Sequence, residues 1–271
     1  MTEQWRTIIT APARGAWNMA VDEAVLESVG RGDSLPTLRL YDWFPACLSL
    51  GYAQPYSDVD VERIRAHGWD VVRRATGGRA ILHVDELTYS VIAPLDEERV
   101  QGSVLESYYR LAGALIRAVR SLGLSVEMEE NASAPGTAKG PVCFEVPSAY
   151  EIVVGGKKLI GSAQARKKEG VLQHGTFPLC GDLTRITDVL VFADQQARAA
   201  AAQKLLARAS TAESASGRVI EWQIAAQAFV KAFESELDLE LERGELTAVE
   251  ASRAEELVEQ KYSNPVWTER S

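Results

Sequence analysis

Apolar positions along the chain change their period several times, and each change marks an element. Trp5 to Ile9 is a short apolar run, which predicts a strand, and Ala13 to Gly15 turns the chain after it. From Ala16 to Val29 the residues Trp17, Ala20, Val21, Ala24, Val25 and Val29 recur at helical spacing, leaving Asp22, Glu23 and Glu27 on the other face. Asn18 and Asp22 lie one turn apart on that helix and read as a wet pair, with pocket lining as the alternative. Gly32 to Pro36 breaks the pattern. Leu38, Leu40 and Trp43, then Leu48, Leu50 and Tyr52, give two strand candidates, the second starting at an apolar Cys47 that reads as a core thiol. Asp58 reads as the N-cap of a helix running to about His67.

The stretch Val71 to Pro94 is strand, glycine turn and strand. Thr76-Gly77-Gly78 permits positive φ and close backbone approach to a ligand. Arg73, Arg74 and Arg79 surround it and His83 follows, which suggests a site for an anion or a polarised carbonyl. A plain β-hairpin with solvated arginines is the competing reading.

Ser103 to Leu122 carries a broad apolar stripe and predicts a second helix, ended by Gly123. The segment from Glu129 to Pro141 is rich in Ala, Ser, Gly and Pro without period and reads as an exposed loop. Beyond it, Val142-Cys143-Phe144, Tyr150 to Val154, a Gly155-Gly156 turn, Lys158 to Ala165 and Val171 to Leu179 read as an antiparallel meander. After about Gly181 the character is helical: Gln195 to Ala209, Val219 to Leu237, and Thr247 to Tyr262 behind a Thr247/Glu250 capping box, with Ser210 to Gly217 as a loop. Strands alternating with helices and then a meander predict an α+β fold, a mixed and largely antiparallel sheet flanked by helices, rather than a doubly wound one. No linker requires a second domain, so residues 1–271 are expected to form one unit, with about 195–271 a mainly helical extension.

Composition narrows the function. A net charge of −9 argues against general nucleic-acid binding. No apolar run is long enough to span a bilayer, and the N-terminus lacks the pattern of a signal peptide, so a cytoplasmic protein is expected. Cys47, Cys143 and Cys180 show no metal-ligand spacing, and neither a disulfide framework nor a metal site is expected. Arg73, Arg74 and Arg79 together with Arg166, Lys167 and Lys168 would form a basic patch if the fold joins them, and a solvated hairpin tip if it does not.

Two residues stand out chemically. Cys143 follows a loop, and a thiol left accessible there beside a cation would have a lowered pKa; a cysteine beside Phe144 is more usually a buried small apolar residue. Lys158 falls in a strand-like run, where an inward ammonium requires an anion or a polarised oxygen; a solvent-facing lysine is the alternative. His174 reads more readily as a structural histidine.

The wording Arg73 to His83, RRATGGRAILH, followed by Glu86 to Ser90, ELTYS, resembles the first hallmark of the lipoate-protein ligase, octanoyltransferase and biotin ligase superfamily. Lys158 to Gln164, KLIGSAQ, resembles its second, built on an essential lysine, and the likeness runs from Trp17-Asn18-Met19-Ala20 to Trp267. Pro141-Val142-Cys143-Phe144 with Pro147-Ser148 is similar to the octanoyltransferases that carry a nucleophilic cysteine before the meander. ATP-dependent lipoate ligases and octanoyl amidotransferases share most of these motifs. The resemblance implies an acyltransferase in lipoate biosynthesis, with octanoyl-acyl carrier protein as donor. A lipoyl-domain lysine, such as that of glycine cleavage H protein, would be the acceptor, through a Cys143 thioester and without a cofactor. It further implies Cys143 and Lys158 as catalytic residues. Arg73, Arg74, Thr76, Gly77, Gly78, Arg79, His83, Gly161, Ser162 and Ala163 would bind substrate; Val72 and Leu82 are apolar residues near this stretch in sequence. Both carriers are acidic, which gives the basic clusters a use; a monomer is expected.

Overall fold

The computed structural model describes residues 3–130 and 150–270. In chain order the strands are β1 (Glu3–Ile9), β2 (Thr37–Tyr41), β3 (Cys47–Leu50), β4 (Asp70–Arg73), β5 (Ile81–His83), β6 (Glu86–Ala93), β7 (Glu127–Glu130), β8 (Tyr150–Val154), β9 (Lys157–Lys167), β10 (Gly170–Pro178) and β11 (Leu239–Gly244). The helices are α1 (Gly15–Gly30), α2 (Val61–His67), α3 (Val104–Ser121), α4 (Gln195–Arg208), α5 (Ala212–Ser216), α6 (Trp222–Leu237), α7 (Ala248–Leu257) and α8 (Pro265–Thr268). Among the described residues the strands form an eight-stranded sheet, ordered β11-β1-β2-β6-β10-β9-β8-β7, and a three-stranded sheet, β4-β3-β5. β1 lies parallel to both β2 and β11, while every other pairing in the large sheet is antiparallel. This is the expected mixed, largely antiparallel α+β architecture.

Alternation along the central strands divides the large sheet into two faces. Leu38 and Leu40 of β2 and Tyr89, Val91 and Ala93 of β6 join Leu111 and Leu115 of α3 and Phe229 and Phe233 of α6 in one core. Tyr41, Ile92 and Leu172 face the opposite way, into Val21, Val25 and Leu26 of α1 and Ala254 and Leu257 of α7. The small sheet packs Leu48, Leu50 and Ala80 against Ile64 of α2 and Leu205 of α4.

Several elements differ from the sequence expectation. β4, β5 and β6 do not form a hairpin: β3 lies between β4 and β5, and β6 belongs to the other sheet. The glycine turn therefore joins strands that do not pair, and it overhangs the gap between the sheets. Asn18 and Asp22 are buried rather than wet, because the polar side of α1 faces Arg39 in the middle of β2. The N-cap of α2 is Asp60, whose carboxylate accepts the Arg63 amide; Asp58 ends a preceding single turn. Residues 210–217 contain the short helix α5 behind a Thr211 cap, and Leu239–Gly244 is a strand. β11 carries one apolar flank, Leu239 and Leu241, in a helical neighbourhood, and its partner β1 is more than 230 residues away. The Thr247/Glu250 capping box is present, and α3 carries a second one, Ser103/Glu106. The Gly155-Gly156 turn closes β8 on β9 with both glycines at positive φ. Residues 142–144, the expected first strand of the meander, and most of the loop before them lie outside the described residues.

The C-terminal segment is tied to the site region through Arg73. Its guanidinium donates to the Gly51 carbonyl at 3.0 Å on one side and to the Thr268 and Arg270 carbonyls at 2.9 Å on the other. Trp267 Nε1 returns a bond to the Arg73 carbonyl at 2.8 Å. A lysine has no planar fork to bridge two chains in this way. Arg73→Lys is expected to speed hydrogen exchange of the α8 amides at least about tenfold while leaving β1 and β2 protected.

A second tie gathers on Glu23 of α1. Lys261 Nζ stands 2.6 Å from its Oε2, Lys167 Nζ stands 2.9 Å from its Oε1, and the Tyr262 hydroxyl also donates to it. Burial pushes this carboxyl up, but Lys261, Tyr262 and Lys167 more than offset it, and the group is held at about 2 against its usual 4.5. Because the folded-state value is depressed, protons bind the unfolded chain first as pH falls. The stability from Glu23 is complete above about 4.5 and is lost as pH falls towards about 2. Glu23→Gln should flatten the dependence of the denaturant midpoint on pH across that window, and an unchanged slope would contradict it.

Candidate active site

A pocket opens between the two sheets. Its floor is the α1 side of the large sheet: Tyr41 from β2, Thr88 from β6, His174 and Thr176 from β10, and Met19 from α1. Its roof and mouth are Gly78 of the glycine turn, Ile81 of β5, and Ser162 and Ala163 of β9. Gly78 takes φ +94, a conformation that side-chain-bearing residues rarely adopt. Gly175 admits no side chain either, since an added carbon would lie 2.6 Å from both the Gly161 carbonyl and the Tyr89 ring.

Two carboxylate–imidazole–hydroxyl chains support the turn. His83 is held at Nδ1 by Glu86 and at Nε2 by Ser49, each at 2.7 Å, and its ring stacks on Trp43 with centroids 4.0 Å apart. Arg74 donates to Ser49 Oγ at 3.1 Å and to the Gly77 and Arg79 carbonyls at 2.8 Å, so the turn is pinned from behind. On the other side, His174 Nε2 lies 2.6 Å from Thr76 Oγ1, and its Nδ1 stands 3.5 Å from Asp22 Oδ2. Burial draws His174 down, more than Asp22 raises it.

Behind the floor lies a buried ion pair. Arg39 meets Asp22 at 2.7 Å with both side chains at 1% exposure or less, and the Tyr41 and Ser90 hydroxyls donate to the same carboxylate at 3.0 and 2.8 Å. Burial pushes Asp22 up, but Arg39, His174 and Ser90 more than offset it, and the net direction is down.

Of the residues expected at the site, Arg74, Gly78, His83, Ser162 and Ala163 line this pocket. Thr76 joins it through His174, Gly77 and Arg79 through their carbonyls to Arg74, and Gly161 through its carbonyl behind Gly175. Arg73 is buried with its guanidinium on the C-terminal segment, not in the pocket. No basic patch arises from these arginines, because Arg73 and Arg74 are buried and spent on backbone carbonyls. Arg166 is bound to the Val100 carbonyl and Lys167 to Glu23, leaving Lys168 exposed at the tip. Val72 and Leu82 are outside the pocket, in the cores below α1 and below the small sheet. Lys158 is buried on β9, three residues before Gly161, with Nζ 2.9 Å from Glu151 Oε1. Cys143 lies outside the described residues. Of the other two cysteines, burial pushes the Cys47 thiol far up, and Cys180 is raised by burial and by Asp85 and Glu213.

Met19, Tyr41, Trp43, Thr88 and Thr176 were not read from the sequence as site residues. His174 was legible in principle. The Lys168-Glu169 turn sets the β9/β10 register that places His174 opposite Ala163 and Gly175 opposite Ser162. Among the described residues no cluster of His, Cys, Asp and Glu is arranged to hold a metal ion, and no helix is long and apolar enough to cross a membrane.

Residues 14–234 match the lipoyl protein ligase A/B catalytic domain. The octanoyltransferase LipM of Brevibacillus brevis is 41% identical over 99% of both chains, and that of Kyrpidia tusciae 40% identical over 99% of both. In structure, a bi-partite lipoate protein ligase of Thermoplasma acidophilum superposes with a TM-score of 0.81 at 26% identity, covering 98% of this chain and 96% of the other. A putative lipoate protein ligase of the same organism with bound lipoic acid superposes at 0.79, with 25% identity and 99% coverage of both. The chain belongs to the lipoyl protein ligase A/B catalytic domain family.

Proposed function

We propose that this protein is an octanoyltransferase of lipoate biosynthesis, moving octanoyl from octanoyl-acyl carrier protein to the target lysine of a lipoyl domain, with the whole chain acting as one catalytic unit. The observation that carries this reading is full-length identity of 41% to an octanoyltransferase, against 26% to a lipoate ligase. The pocket between glycine turn and sheet suits a medium acyl chain, because it is narrow, buried and floored largely by carbon. The Cys143 thiolate attacks the thioester carbonyl, the carrier thiol leaves, and an acyl-enzyme forms; the acceptor amine then attacks the new thioester, loses its proton and releases the thiolate as the amide forms. Lys158 stabilises the thiolate and the tetrahedral oxyanion. Arg74, Gly78 and His83 set the acyl wall, and Gly161, Ser162 and Ala163 hold the thioester end. His83 is held in place at both ring nitrogens, by Glu86 and by Ser49. Woven strands support single-unit action: β11 completes the sheet beside β1, and α6 packs on α3.

Intact mass after mixing with octanoyl-acyl carrier protein, without ATP, is the test. One octanoyl addition that maps to Cys143 is expected, and Cys143→Ser should abolish it. Transfer at an unchanged rate by Cys143→Ser excludes the thioester route. Transfer that requires ATP and magnesium with free octanoate or lipoate points instead to ligation.

A further inference from the structure

We infer that Met19 sets the depth of the pocket and with it the length of the acyl chain the enzyme prefers, an inference that rests on the acyl-transfer reading above. Exposure falls from the mouth, where Gly78 is exposed and Ile81, Ser162 and Ala163 are half-buried, to the floor, where Met19, Tyr41 and Thr88 are buried. A chain entering past the glycine turn with its carbonyl near the mouth therefore ends against that floor.

Four of the polar and aromatic residues around the floor are tethered, and the fifth, Thr176, is a short β-branched side chain with little reach although its Oγ1 has no partner among the described residues. Tyr41 is bonded to Asp22, Trp43 donates to Thr88 Oγ1 and stacks on His83, Thr88 is also bonded to Glu86, and His174 is bonded to Thr76. Moving any of them breaks a buried hydrogen bond. Met19 is different. Its thioether is unbranched and held only by apolar contacts in the α1 core, so it is the side chain whose reach fixes where the pocket stops. A terminal methyl that does not fit must displace the thioether from this core, and a chain that stops short leaves unfilled space against it. Each methylene gained or lost at such a wall changes affinity about fourfold, the equivalent of ~0.8 kcal/mol.

The experiment compares transfer from hexanoyl-, octanoyl- and decanoyl-acyl carrier protein by the full chain and by Met19→Ala, Met19→Leu and Met19→Phe, reading kcat/KM for each donor by intact mass of the acceptor. Alanine frees the space of about two methylenes, so the decanoyl-to-octanoyl ratio should rise on the order of tenfold. Leucine, close in volume and safe for folding, should raise it less, and phenylalanine should shift preference towards hexanoyl. Opposite shifts for leucine and phenylalanine support the inference even if the alanine variant fails to fold. An unchanged chain-length profile in folded leucine and phenylalanine variants overturns it while leaving octanoyl transfer intact. Absence of transfer from every acyl-carrier donor by the unmodified chain removes the acyl-transfer reading, and this inference with it.

Discussion

Lys158→Ala is expected to lower the single-turnover rate of octanoyl transfer by about two to three orders of magnitude, the loss typical of removing one preorganised donor to a developing oxyanion. Lys158 is 5% exposed and paired at 2.9 Å with Glu151 on the neighbouring strand. Its backbone is fixed as well, since the Ser210 amide donates to its carbonyl at 3.0 Å. A side chain so placed needs little reorganisation as charge develops, which is where a buried cation differs from a mobile surface lysine. The substitution also leaves Glu151 without this cation, and breaking a buried pair from one side costs about 3–5 kcal/mol. Rate loss and instability must therefore be separated. Adding Glu151→Gln should recover most of the thermal stability without recovering the rate. A Lys158→Ala/Glu151→Gln protein that transfers octanoyl at the unmodified rate would remove Lys158 from the chemistry.

Much of the fold was legible where one period ran long enough. α3 and α6 have apolar stripes of several turns, and both were placed to within three residues of their observed ends. The Gly155-Gly156 turn and the Thr247 capping box are local devices, readable because their chemistry is complete within a few residues. Illegible features were those decided by distant partners. β11 is six residues long, and only pairing with β1 makes it a strand. The polar side of α1 looks solvated until Arg39 is found beneath it.

The candidate site was legible in its backbone and less so in its side chains. Gly77 and Gly78 announce close backbone approach, Gly161, Ser162 and Ala163 entered through the resemblance alone, and five of the twelve residues expected at the site line the pocket. Arg73 misleads: beside a glycine turn it looks like an anion ligand, and it serves to latch the C-terminal segment. The floor escaped because Met19, Tyr41, Thr88 and Thr176 come from four different elements, each reading locally as ordinary packing.

A stability effect of the same size is expected at the pair beneath that floor. Arg39→Met leaves the Asp22 carboxylate buried without its guanidinium partner, and it should destabilise the protein by about 3–5 kcal/mol. In a chain of this size that is a fall in Tm of roughly 10 °C or more, measurable by calorimetry. Replacing both partners with apolar residues, Asp22→Leu with Arg39→Met, removes the stranded charge and should cost clearly less than Arg39→Met alone. A double-mutant cycle with no coupling would show that the pair is not what holds α1 to β2. The consequence reaches the pocket. Asp22 also accepts from Tyr41 and stands 3.5 Å from His174, so losing the pair loosens one tethered floor residue and the imidazole that holds Thr76. Arg39→Met protein assayed well below its Tm should therefore show a raised KM for octanoyl-acyl carrier protein with a smaller change in kcat. The ion pair acts on the ground-state shape of the pocket, through Tyr41 and His174.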